Sequence, residues 1–260
     1  MTSLPIYQID AFSQQAFAGN PAAVVPLQQW LADEVMQNIA SENNLAETVF
    51  FVPEDDGFYI RWFTPVREVK LCGHATLAAA YVLFEYLGFS EPEIKFQSLS
   101  GLLTVKQDNQ RLTLNFPAQP PEPQHCPEAL VQGLGKTPLA CLANEDWIAV
   151  FDSEADILAI EPNHSELQKL DKRGVIATAP SDKYDFVARF FSPKYGIPED
   201  PVTGSAYTQL MPYWTERLGK KSLYAKQLSS RGGELWCELI GDRVTIAGYA
   251  ATYLIGEINI

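Results

Sequence analysis

The pentapeptide Arg61-Trp62-Phe63-Thr64-Pro65 returns 128 positions later as Arg189-Phe190-Phe191-Ser192-Pro193. A glycine that opens an apolar segment follows each copy, at Gly73 and Gly204, 131 apart. The segments RLTLNF and RVTIAG, starting at Arg111 and Arg243, are 132 apart. Offsets that drift by a few residues are what small loop insertions produce, whereas chance matches would scatter. The pattern predicts a duplicated chain: two similar domains, each wrapping strands around one central helix, with a cleft between them.

Composition narrows the class. Eighteen prolines and sixteen glycines, mixed with short apolar runs, predict many turns and short strands. A formal charge of −13, with no dense run among the 19 Lys and Arg, argues against a nucleic-acid partner and against adsorption to anionic membranes. A small acidic substrate stays open, because backbone N–H groups can hold a carboxylate locally. MTSLPIYQIDAF has no basic region followed by a long apolar segment, and no later run reaches the ~18 residues of a membrane span. The expectation is a soluble, cytoplasmic protein. Cys72, Cys126, Cys141 and Cys237 fall at no metal-ligand spacing, and a cytosolic chain of this length needs no disulfides. With His74, His125 and His164 the only histidines, no metal site is expected.

IYQIDAF and AAVVPL read as strands joined by a Gly19-Asn20-Pro21 turn, and Leu31, Val35 and Ile39 recur at helical spacing. TVFFV and YIRWF read as strands. The segment GHATLAAAYVLFEYLG is apolar on nearly every side, which predicts a helix buried all round and stopped at Gly88. LLTVKQ and RLTLNF suggest a hairpin, and PAQPPEPQHCP, with five prolines in eleven residues, a linker. The expected domains are therefore 1–117, open to completion by the C-terminal strand, and 118–260. In the second, WIAVF, GVIATA and DFVARFF read as strands, and Gly204 opens an apolar helix in which Pro212 predicts a kink or break before Gly219. CELIG, RVTIAG and ATYLIGEI complete the chain as strands, and Asn163-His164-Ser165 reads as a loop.

If both central helices aim their starts at the cleft, unpaired N–H groups at Gly73-His74 and at Gly204-Ser205 attract an anion. Glycine there lets a ligand approach the backbone closely, although each glycine also reads as a tight turn. Three groups beside these starts can do proton chemistry: Glu47 in NNLAETVF, His74, and Asp200 in EDPVTGSA. Partial burial of Glu47 before an apolar strand would raise its pKa toward neutrality. Taken singly, Glu47 reads as a loop residue, His74 as a helix-start residue and Asp200 as turn chemistry, so the argument rests on their combination.

IDAFSQQAFAGNPAAVV, NLAETVFF, FTPVREVKLCGHATLAAA, EDPVTGSA, SSRGG and GDRVTIAG, in that order, resemble the PhzF-like isomerase family of phenazine biosynthesis, in the diaminopimelate epimerase and proline racemase superfamily. The resemblance runs almost end to end. It implies an α+β fold of two similar domains, each a curled, mostly antiparallel sheet around a central buried helix. It also implies a cofactor-independent proton-transfer site between them and a homodimer. By the same resemblance Glu47 is the acid/base that moves a proton between carbons of a small unsaturated ring acid, while His74 and Asp200 assist and orient it. Gly73, Gly204 and Ser205 match substrate-contacting positions. Tyr207 stands where many relatives have histidine and alters the expected cleft wall.

Cys72-Gly73-His74 also resembles the first motif of proline racemases, in which a thiolate at a helix start removes an α-proton. Thr203 occupies the matching place in the second half, so a two-thiol racemase is unavailable. A one-cysteine hydroxyproline-type epimerase or dehydratase remains the alternative, and a small buried apolar residue is the plainer reading of Cys72. A non-catalytic small-acid-binding protein on the same fold is the alternative from another class. Gly133-Leu134-Gly135-Lys136-Thr137 mimics the end of a phosphate loop, but Leu130 replaces the first glycine and Pro138 follows at once.

Overall fold

A computed structural model describes residues 2–260. The chain forms two compact units, residues 2–115 with Ala247–Ile260, and Phe116–Ile246. The fold is α+β, with many strands and few helices.

In chain order the first elements are β1 (Ser3–Ala11), β2 (Asn20–Pro26), α1 (Asp33–Asn43), β3 (Glu47–Glu54), β4 (Gly57–Phe63), β5 (Glu68–Val69), α2 (Gly73–Glu85), β6 (Glu93–Gln97), β7 (Leu103–Asp108) and β8 (Arg111–Pro117). Then come β9 (Glu122–Gln124), α3 (Glu128–Leu134), β10 (Ala140–Ala143), β11 (Trp147–Val150), α4 (Glu154–Leu158), α5 (His164–Leu167), β12 (Val175–Pro180), β13 (Phe186–Ser192) and β14 (Ile197–Asp200). The chain closes with α6 (Gly204–Leu218), β15 (Ser222–Gln227), β16 (Gly233–Ile240), β17 (Arg243–Gly248) and β18 (Ala250–Asn259).

In the first unit β1 pairs antiparallel with β2, β2 parallel with β3, and β3 antiparallel with β4. After the short antiparallel β5 and helix α2, β6 returns parallel to β4 and pairs antiparallel with β7. The second unit writes the same succession with β10, β11, β12, β13, β14, α6, β15 and β16. β18 lies antiparallel along β1, and the backbones of Thr2 and Ile260 exchange hydrogen bonds of 2.7 and 3.0 Å.

The repeated pentapeptide has the same job in both units. Arg61, on β4, grips Glu68 of β5 with two bonds of 2.7 Å and lies 5.2 Å over the ring of Phe63. Arg189, on β13, grips Glu199 of β14 at 2.7 and 2.9 Å, lies 4.9 Å over Phe191, and donates to the carbonyls of Ile157 and Ile160. Side chains alternate across a strand, so the arginine and the phenylalanine two places on share a face. The fork of a guanidinium matches a carboxylate in plane. α2 is buried at His74–Ala80, Val82 and Leu83, as a helix with no polar stripe must be.

Several local expectations are corrected. Asn20 and Pro21 belong to β2, paired with Ala11 and Asp10, so the turn lies upstream. Leu31 precedes α1, whose buried side is Met36, Ile39 and Ala40. The proline-rich stretch is no mere tether: Glu122–Gln124 pairs with β10, an arrangement open to proline at a sheet edge. Cys126 and Cys141 form a disulfide, against the expectation of none, because that pairing brings their Cα atoms to 5.3 Å. Asn163 caps α5 through its side chain, accepting from the Glu166 N–H. α6 runs unbroken through Pro212. Proline cannot bond the Thr208 carbonyl, and the N–H of Gln119 does so instead at 2.9 Å. The phosphate-loop mimic is the C-terminal end of α3, with Gly135 as its left-handed cap.

Candidate active site

In the first unit, β2 and β3 run parallel with Ala22 beside Glu47, which sets the starts of the two strands side by side. Cys72 is the extended N-cap of α2 and His74 lies in the first turn of that helix. His74 Nε2 is 3.1 Å from Glu47 Oε2, with the two side chains only 7% and 12% exposed. The contact has ion-pair length but is off line for a hydrogen bond, and neither atom has a hydrogen-bond partner among the described residues. On the far side of the ring, Asn20 Nδ2 lies 3.2 Å and Cys72 Sγ 3.5 Å from His74 Nδ1. A buried polar atom left without a bond costs ~1–3 kcal/mol, so such atoms mark places where a ligand or water completes the set.

Burial, with the Glu47 carboxylate beside it, pushes the Cys72 thiol up to about 11. For His74 burial acts downward, while Cys72 and Glu47 outweigh it and carry the group upward. That push is full only where Cys72 is ionised; with the thiol protonated near neutrality it falls to Glu47. Donor atoms of Glu47, Cys72 and His74 lie within 4.8 Å of one another. A cation binding there would have to displace the proton of the Cys72 thiol.

In the second unit Thr203 is the N-cap of α6 and Gly204 its first residue. The Thr203 hydroxyl donates to the Asp200 carboxylate rather than capping the helix. Gln227, at the end of β15, accepts from the Thr203 N–H at 2.9 Å and donates to the Asp200 carbonyl at 2.8 Å. Ser229, in the SSRGG segment, donates to the Pro201 carbonyl at 2.8 Å. Asp200, Thr203, Gly204 and the half-buried Ser205 thus form one braced cluster at a helix start that no N-cap side chain closes. Neither α2 nor α6 has an acidic residue in its first turn, so the carboxylates at the two starts, Glu47 and Asp200, come from outside the helices.

The sequence pattern of the family described as "Phenazine biosynthesis-like protein" matches residues 9–256. The chain belongs to this family. An uncharacterized isomerase of Pseudomonas aeruginosa is 51% identical to this PhzF-like chain over 258 residues, covering 99% of each. The crystal structure of a PhzF-family phenazine biosynthesis protein of Enterococcus faecalis superposes with a TM-score of 0.98 at 45% identity, covering 100% of each chain. A hydroxyproline epimerase of Agrobacterium vitis, at 11% identity and a TM-score of 0.65 over 98% of this chain and 92% of its own, shares the fold. Isomerase chemistry goes with that membership.

Within the PhzF-like chain, Glu47, Cys72, Gly73 and His74 meet in the first unit, and Asp200, Thr203, Gly204 and Ser205 in the second. Tyr207, expected on a cleft wall, is fully buried, 5.9 Å from the Phe186 ring, and its hydroxyl has no partner among the described residues. Two residues of these clusters escaped sequence reading. Asn20 was hidden in an apparent turn. Gln227 carried a usable signal, because it is polar on the inward phase of β15, after the buried Leu223 and Ala225.

Proposed function

We propose that this PhzF-like protein is a cofactor-independent isomerase that moves a proton between carbons of a small, cyclic or unsaturated carboxylic or amino acid, with Glu47 as the acid/base. The observation that carries the reading is the buried Glu47–His74 contact of 3.1 Å, with an unpartnered atom on each side, beside an uncapped helix start. Glu47 takes a proton from one carbon as its C–H electron pair moves into the adjoining unsaturated system. It returns the proton to another carbon as that pair closes a new C–H bond. The charge that develops on the conjugated carboxylate is stabilised by helix-start N–H dipoles, which need no reorganisation. Asp200, braced by Thr203, is assigned to the same reaction as an orienting group on the strength of the family motif. The functional unit is proposed to be a homodimer, to be checked by sedimentation.

The test is deuterium uptake at carbon from D₂O, with a panel of unsaturated and cyclic amino acids as probes. Wild type incorporates deuterium, Glu47→Gln is slower by ~10²–10⁴-fold, and Cys72→Ala keeps its rate. Loss of exchange in Cys72→Ala with Glu47→Gln intact would establish the hydroxyproline-type thiol mechanism instead. The high thiol pKa speaks against that second reading. No exchange with any probe would favour a small-acid-binding protein.

A further inference from the structure

We propose that Asn20 is a positioning residue that fixes which nitrogen of His74 carries the proton, so that the neutral imidazole presents Nε2–H to Glu47. Its meaning for turnover rests on the reading of Glu47 as the acid/base; its test does not.

The geometry is specific. Asn20 is fully buried at the first residue of β2, with its amide nitrogen 3.2 Å from His74 Nδ1. An amide NH₂ can only donate. Cys72 Sγ stands 3.5 Å from the same nitrogen, and a thiol can serve as donor or acceptor. The donor-only Asn20 amide makes Nδ1 the acceptor, so a neutral ring carries its single proton on Nε2, the nitrogen facing Glu47 Oε2. The titratable groups against the ring are Glu47, from β3, and Cys72, from the start of α2. Asn20, from β2, is uncharged and keeps its donor at every pH.

The backbone holds Asn20 in place. Gly19 before it adopts φ +69, and a Cβ there would lie 2.1 Å from the Ala11 carbonyl oxygen, so the start of β2 is pressed against the end of β1. Asn20 itself pairs with Ala11 in the strand register.

The tautomer sets what Glu47 meets across the 3.1 Å contact: a donor where Nε2 carries the proton, and a ring lone pair where Nδ1 carries it. The chain has three histidines, so ¹⁵N-imidazole spectra are readily assigned, with His74→Gln identifying the signal.

Wild type, recorded where the ring is neutral, is expected to show a bare Nδ1 and a protonated Nε2. In Asn20→Asp the isosteric carboxylate accepts instead of donating. The proton should then move to Nδ1, and the His74 pKa should rise by ~1–3 units. The new charge raises the His74 pKa whatever the role of the asparagine, so the assignment is supported by where the proton of the neutral ring sits: on Nε2 in wild type and on Nδ1 in Asn20→Asp. A neutral wild-type ring protonated on Nδ1, or an Asn20→Asp spectrum with an unmoved proton, overturns the proposal. If Asn20→Asp does not fold, the wild-type spectrum alone decides. A wild type without carbon exchange touches only the Glu47 reading, since the tautomer is read without substrate.

Discussion

Alkylation of Cys72 distinguishes the two chemistries open to this site without any substrate. Only the thiolate attacks iodoacetamide. With its thiol at about 11 instead of the ordinary 9.0, Cys72 is ionised ~100-fold less often at any pH below both, since each pKa unit is a factor of ten. Its 8% exposure can only slow the reaction further. In the native protein at pH 8, peptide mass spectrometry should therefore show Cys72 modified at least ~100-fold more slowly than in the urea-unfolded chain. Burial alone could give the same slowness, so Glu47→Gln is the control. Glu47 ranks second only to burial in raising the thiol pKa. Removing its charge at nearly constant size should shift the rate–pH curve down and speed the reaction. Native Cys72 reacting within about threefold of the unfolded rate would refute the reasoning and return the thiol to candidacy as the catalytic base. An unshifted curve in Glu47→Gln would refute the electrostatic part.

Arg189→Met strands the mostly buried Glu199 carboxylate and leaves two carbonyls without their donor, so urea denaturation should show a loss of ~3–5 kcal/mol. Glu199→Gln should couple strongly to it in a double-mutant cycle, and a loss below ~1 kcal/mol would mean the clamp is only a surface pair. Opening the Cys126–Cys141 bridge, whose cysteines are 15 positions apart, with dithiothreitol or a double serine variant should cost ~3 kcal/mol; unchanged stability would argue against the bridge. The raised Cys72 pKa also predicts alkaline sensitivity. The folded state keeps its proton up to about 11, whereas the unfolded state loses it near 9.0, so this contribution is complete below pH ~9 and lost as pH rises through ~11. It is at most ~3 kcal/mol, and Cys72→Ala should flatten the drop between about pH 9 and 11.

Much of the architecture was legible because it depends on local periodicity. β8 and β17 alternate buried and half-buried residues in step, as RLTLNF and RVTIAG suggest. An alanine-rich helix without a polar stripe had to be enclosed. What escaped reading depends on partners distant in sequence. Nothing near Pro212 announces that Gln119 will satisfy Thr208, and nothing near Cys126 announces that β9 will pair with β10. The catalytic candidates were visible as residue types, but the Asn20–His74–Glu47 cluster joins positions 20, 74 and 47, and only folding brings them together.

The pairing of β18 with β1 imposes an order on biogenesis. During synthesis, β1 leaves the ribosome first but must wait for the last ten residues before that side is covered, while Phe116–Ile246 can mature in between. A chain cut after residue 248 would thus keep the whole of Phe116–Ile246 but leave one edge of β1 bare, the kind of species a chaperone would meet.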